Sequence, residues 1–152
     1  MILRHNTDGA TVISQVSSFA PERIVSINQL NIAQINDIEP YFELLLLADP
    51  SPPLVRAYTK TGHVYGASIT GEPMGVYVLV SLGDNVWELK NIAVADAHQG
   101  KGYGQELLAH TIKTARALGG VSLEVGTASS GEKQIRFYER AGFKRTRLDV
   151  GF

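Results

Sequence analysis

The stretch Asn91-Ile92-Ala93-Val94-Ala95-Asp96-Ala97-His98-Gln99-Gly100-Lys101-Gly102-Tyr103-Gly104 constrains this chain more than any other. An apolar, strand-like run passes into a glycine-rich turn. The turn opens a helix with Leu107, Leu108, Ile112, Ala115 and Leu118 on one face. Glycines let the backbone approach a bulky anion and expose several N–H groups, and the helix N-terminus adds a partial positive charge. A diphosphate is the natural guest, and Lys101 adds a full charge. A glycine-rich connection without a ligand is the plainer alternative. Two familiar phosphate loops are excluded by spacing. The pattern G-x-x-x-x-G-K-S/T is absent, and G-x-G-x-x-G fails because Gln105 stands where its third glycine belongs. A serine-hydrolase elbow fails as well, since Gly66-Ala67-Ser68-Ile69-Thr70 lacks the closing glycine of G-x-S-x-G.

The segments around the loop set the fold class. Thr11 to Phe19 alternates weakly and fits a strand or a disordered lead, and Ile24 to Ile27 reads as a short strand. From Asn31 to Ala48, the residues Ile35, Ile38, Phe42, Leu45 and Leu46 recur at helical spacing. Asp49-Pro50-Ser51-Pro52-Pro53 breaks the chain, and Ser51 can cap a second helix through Leu54, Val55 and Tyr58 that stops near Gly62. Val64–Ile69, Met74–Leu82 and Val86–Val94 read as three strands of an antiparallel meander. The helix after the loop stops at Gly119-Gly120. A strand over Val121–Val125, a helix over Glu132–Ala141 and a last strand over Lys144–Val150 follow. This order predicts an α+β fold, a mixed sheet with helices on both faces.

Composition removes several functions. The chain has 152 residues, 44% hydrophobic and 19% charged, which suits one globular domain. A net charge of -1 argues against a general nucleic-acid binder. With no cysteine, disulfides, zinc–thiolate sites and cysteine nucleophiles are out. No apolar run approaches the roughly 18 residues that span a bilayer, and no signal peptide is legible. A cytoplasmic protein is the default expectation. His5, His63, His98 and His110 show no ligand spacing, so no metal is expected.

Three motifs in order carry a resemblance. Gln99-Gly100-Lys101-Gly102-Tyr103-Gly104 resembles the Q/R-x-x-G-x-G/A loop of the GCN5-related N-acetyltransferases (GNAT). Leu89-Lys90-Asn91-Ile92-Ala93-Val94 resembles that family's fourth strand. Ile135-Arg136-Phe137-Tyr138-Glu139-Arg140-Ala141-Gly142-Phe143 is similar to its FYEKxGF signature. The match runs from about Ile24 to Val150 and is nearest to small bacterial members with LLLADPS, here Leu45–Ser51, and GT-x-x-S, here Gly126–Ser130. The resemblance implies a GNAT fold, with the fourth and fifth strands splayed around acetyl-CoA and no metal. It implies that the backbone of Ile92, Ala93 and Val94 meets the pantetheine arm. It also implies that Gln99, Gly100, Lys101, Gly102, Tyr103 and Gly104 hold the pyrophosphate. Ser129 and Ser130 stand near the place of a family asparagine that contacts pantetheine.

Acetyl transfer from a thioester needs a neutral amine, a stabilised carbonyl oxygen and a proton donor for the leaving thiolate. The resemblance gives the donor role to Tyr138, which could equally be a core aromatic beside Ile135. It gives the oxyanion N–H to Val94. Glu88 is the candidate base, or else a solvent-facing partner of Lys90 or Lys101. Alternation places Glu88, Lys90 and Ile92 on one strand face, and Leu89, Asn91 and Ala93 on the other. Lys133 and Arg140 could reach phosphates but are more ordinary as surface charges.

The expected reaction is direct acetyl transfer to a primary amine of a small molecule or peptide. The acceptor is expected near Ala48 to Gly62, with Asp49, Tyr58 and Tyr41 as lining residues. A non-catalytic acyl-CoA sensor on the same fold and a transferase for a longer acyl chain are the alternatives. Residues 1–21 read as an N-terminal extension and residues 22–152 as one domain. Family members usually add a seventh strand after the sixth. Here it is expected to be missing, or replaced by Thr11–Phe19 or by a partner chain, which would favour a homodimer.

Overall fold

The computed structural model describes residues 2–3, 30–126 and 132–144. Its elements are β1 (Ile2–Leu3), β2 (Leu30–Ile35), α1 (Phe42–Ala48), α2 (Pro52–Thr61), β3 (His63–Ile69), β4 (Glu72–Gly83), β5 (Val86–Val94), α3 (Tyr103–Ala117), β6 (Ser122–Glu124) and α4 (Glu132–Arg140). The sheet runs β1-β5-β4-β3-β2, and β6 also pairs with β5. The β3–β4–β5 meander is antiparallel as expected, and β6 joins β5 in parallel. The mixed sheet and its helices on both faces match the expected fold class. One core cluster, with Tyr77, Leu79, Leu89, Ile92, Leu107, Leu108 and Phe137, joins the sheet to α3 and α4. A second, with Leu45, Val55, Val76, Val78 and Ala93, joins the opposite face to α1 and α2. No helix among the described residues is long and apolar enough to cross a membrane.

One expectation is overturned at the front of the domain. Asn31 to Ile35 is not helical: β2 pairs antiparallel with β3 from Leu30↔Ile69 to Ile35↔Val64. The helix begins only at Phe42, after a 3₁₀ turn over Glu39–Tyr41. Pro40 sits at the start of that turn, where its missing N–H costs nothing, and a helix crossing it would lose a hydrogen bond. Asp37 accepts from the Glu39 amide at 3.1 Å and helps begin the turn. The α2 expectation holds, with Ser51 Oγ accepting from the Leu54 amide at 3.4 Å and Pro52 at the first position. Thr11–Phe19, read as a strand or a disordered lead, the expected strand over Ile24–Ile27 and residues 145–150 of the last one lie outside the described residues.

The lid of α1 over the sheet depends on a close approach. The Tyr41 ring lies over Gly66 of β3, so that a Cβ there would stand 2.6 Å from Tyr41 Cζ. Gly66→Ala must push Tyr41 out and is expected to cost about 1–3 kcal/mol. Thermal unfolding would then show a Tm lower by about 3–10 °C in a chain of this length. An unchanged Tm would mean that Tyr41 swings away freely.

Candidate active site

The site is built on the last half of β5. Cross-strand register runs Val80↔Glu88, Leu79↔Leu89, Val78↔Asn91 and Tyr77↔Ile92, so Lys90 is an extra residue without a partner on β4. This β-bulge overturns the alternation expected for β5. One inserted residue reverses the facing of everything beyond it. Leu89 and Ile92 share the α3/α4 face. Glu88 and Asn91 share the α1/α2 face with their partners Val80 and Val78. Glu88 and Ile92 are both buried, at 5% and 0% exposure, but on opposite sides of the sheet.

The neighbouring strand leaves early. β6 pairs with β5 only at Val86↔Ser122, Trp87↔Leu123 and Glu88↔Glu124, while β5 continues to Val94. The edge beyond Glu88 is the splay that the resemblance implies. It is partly covered by β1, whose Ile2 and Leu3 stand opposite Ala93 and Ile92.

The loop after β5 is held from within. The Ala95 amide donates to Met74 O at 2.8 Å, and a 3₁₀ turn spans Asp96–His98. The Gln99 side chain donates to Val94 O at 2.9 Å and to Asp96 Oδ1 at 3.2 Å. Gln99 therefore braces the loop with its side chain. Gly100, Lys101 and Gly102 follow on the surface, and Tyr103 lies edge-on to His98 at 5.8 Å. Gly104 is buried in the first turn of α3. Gly102 is the N-terminal cap of this fifteen-residue helix, with φ 90° and no side-chain cap. A Cβ on Gly100 or Gly102 would meet nothing within 4 Å, so open space lies over the cradle. The N-terminal N–H groups of α3, the helix dipole and Lys101 suit a diphosphate. Gly102→Ala forces a left-handed residue into the cap. Acetyl-CoA affinity is expected to fall about tenfold, from roughly 1–2 kcal/mol of strain and lost approach. Turnover at saturation should change little, and calorimetry beside saturating kinetics checks both.

Glu88 and Tyr138 are both buried ionisable groups. Burial raises the Glu88 pKa above the ordinary carboxylate value. Lys90, 3.9 Å from Oε2, opposes the shift, and Glu124 adds to it. Tyr138 is 3% exposed, between the rings of Phe137 and Phe143 with centroids at 5.3 and 5.5 Å. Burial alone pushes its phenol well above its ordinary pKa. The Gln105 side chain donates to Phe137 O at 3.1 Å, tying α3 to the helix that carries Tyr138. Ser129 and Ser130 lie outside the described residues, and Lys133 and Arg140 are exposed on α4.

Residues distant in sequence add a network that sequence reasoning missed. Asn91, fully buried, donates from Nδ2 to Leu45 O at 3.1 Å and to Tyr58 Oη at 2.9 Å. The Tyr58 hydroxyl donates to Asp49 Oδ2 at 3.1 Å. Asp49 and Tyr58 stood among the expected acceptor-lining residues, but nothing local linked them to Asn91. No group of three or more His, Cys, Asp or Glu among the described residues could hold a metal ion.

A mixed sheet that parts beside a bulged strand, with a glycine turn opening the following helix, is the architecture the GNAT resemblance implies. Residues 32–143 match the Acetyltransferase (GNAT) family, and the chain belongs to it. It is an N-acetyltransferase. It is similar to YvbK of Bacillus subtilis (strain 168), called an uncharacterized N-acetyltransferase, at 39% identity over 111 residues, 73% of this chain and 72% of YvbK. A GNAT family acetyltransferase from Elizabethkingia anophelis with acetyl-CoA bound is 36% identical, with TM-score 0.75 and 80% of each chain covered. A Bacillus subtilis acetyltransferase in complex with CoA is 37% identical, with TM-score 0.73, over 76% of this chain and 77% of that one.

Proposed function

We propose that this enzyme transfers the acetyl group of acetyl-CoA directly to a primary amine of a small molecule or peptide in the cytoplasm. The observation that carries the reading is the placement of the Gly100–Gly104 cradle at the end of β5, beside the edge that β6 leaves open. The similar proteins with CoA or acetyl-CoA bound support the same donor. When bound, acetyl-CoA supplies the activated acetyl group.

The chain's own groups divide the remaining work. The cradle amides and Lys101 hold the pyrophosphate, and the backbone of Ile92 and Val94, on either side of Ala93, pairs with the pantetheine arm. The Val94 N–H steadies the carbonyl oxygen as charge develops. Glu88, with its raised pKa, takes a proton from the acceptor amine, directly or through water. The Tyr138 hydroxyl, kept protonated by burial, donates to the departing sulfur. Residues 22–152 form the catalytic domain, and residues 1–21 an extension that contributes β1.

Calorimetric titration with acetyl-CoA beside CoA, succinyl-CoA and NAD tests the reading. Selective binding of acetyl-CoA is expected, and no binding of any CoA thioester would end it. Because β1 holds the edge at Ile92 and Ala93, it competes with the pantetheine arm. Removing residues 1–3 is expected to tighten acetyl-CoA binding about fivefold, the net effect of one or two displaced backbone hydrogen bonds. Equal affinity in both chains would mean that the arm binds elsewhere along the edge.

A further inference from the structure

Two buried oxygens on β5 accept no hydrogen bond among the described residues: Glu88 Oε2 and Asn91 Oδ1. Buried acceptors without donors cost stability, and native folds keep few of them. These two share one face of β5, on either side of the Lys90 bulge, where β6 has just turned away. Lys90 Nζ stands 3.9 Å from Glu88 Oε2, too long for a hydrogen bond.

The orientation of Asn91 follows from its partners. Leu45 O can only accept, so the amide nitrogen must face it. The Tyr58 hydroxyl donates its hydrogen to Asp49, so toward Asn91 it accepts. Asp49 is itself fixed by the Ser51 amide at 3.3 Å. Both Nδ2 hydrogens are thereby used, and Oδ1 keeps its lone pairs. The run Asp49–Tyr58–Asn91 has one polarity, and that polarity presents an acceptor.

We infer that Asn91 Oδ1, together with Glu88, receives the N–H hydrogens of the acceptor's primary amine, and that Asp49 and Tyr58 are positioning residues that hold the Asn91 amide in this sense. The inference rests on the acetyltransferase reading and assigns the residues that recognise its primary amine. Two acceptors on one face suit a group with at least two N–H hydrogens. An aliphatic amine or ammonium supplies them, an alcohol supplies one and a carboxylate none. Glu124, in register with Glu88, adds negative charge on the same side and favours a cation.

The test uses the full chain loaded with CoA and titrated with n-butylamine, with N,N-dimethylbutylamine and n-butanol as controls. The Asn91 side-chain amide is followed by NMR. A shift with n-butylamine alone is expected. Tyr58→Phe is expected to raise the dissociation constant for n-butylamine about tenfold, the effect of losing one well-made hydrogen bond, while CoA affinity stays unchanged. Asp49→Asn should do the same and serves if Tyr58→Phe fails to fold. A purely structural network would move both affinities or neither. CoA binding with a silent Asn91 amide, or with unchanged butylamine affinity in the variants, overturns this inference alone. Failure of the wild-type chain to bind CoA overturns the acetyltransferase reading and this inference with it.

Discussion

Tyr138→Phe is expected to lower turnover about 100-fold, at the lower end of what a positioned proton donor contributes. Acetyl-CoA affinity should stay within about twofold, because only one hydroxyl is lost. The fold should be preserved. The phenylalanine ring keeps its edge contacts with Phe137 and Phe143, and the buried site loses a polar atom rather than gaining one. Burial also shapes the role. With its pKa pushed well up, the phenol stays protonated across working pH, and full transfer of its proton to a thiolate is uphill. Hydrogen-bond donation to sulfur as charge develops is therefore the larger part of its contribution. Thiol release under saturating acetyl-CoA and amine measures the effect. Equal turnover in the two proteins would make Tyr138 a core aromatic and move the donor role elsewhere.

The parts legible in sequence were those with local signals. Ser51 before Pro52-Pro53 marks the start of α2 because capping and a fixed proline φ act within one turn. The glycine turn that opens α3 was legible because Gly100 and Gly102 supply the left-handed φ, 78° and 90°, that the turn requires. What was misread depends on partners far along the chain. Leu30–Ile35 is an edge strand whose half-exposed residues alternate weakly, and its pairing with β3 outweighs the helical spacing of Ile35, Ile38 and Phe42. The Lys90 bulge reverses the facing of β5. Its one trace is the apolar spacing Leu89, Ile92, Val94, three residues and then two, where alternation would give two and two. The Asp49–Tyr58–Asn91 network joins α1, α2 and β5 across more than 30 residues and left no trace at all.

Glu88→Gln is expected to separate activity from stability. A general base contributes about 10²–10⁴-fold, so turnover at neutral pH should fall at least 100-fold. The ascending limb of the wild-type profile in kcat/KM should lie above the ordinary carboxylate value of 4.5, because burial raises the Glu88 pKa. That limb should vanish in the variant. Stability should move the other way. A carboxyl whose folded pKa lies above its unfolded one favours folding fully below the unfolded value, and that contribution is lost as pH rises through the folded value. Glutamine carries no charge at any of these pH values and escapes the loss. At pH 8 the variant should therefore melt at a higher temperature than the wild type. The difference should shrink as pH falls toward 4.5. Glu124 and Lys90 act in opposite directions on Glu88, so removing the Lys90 charge in Lys90→Met should move the wild-type limb to still higher pH. A limb that persists unchanged in Glu88→Gln would transfer the base to another group and leave Glu88 as an amine-binding acceptor beside Asn91.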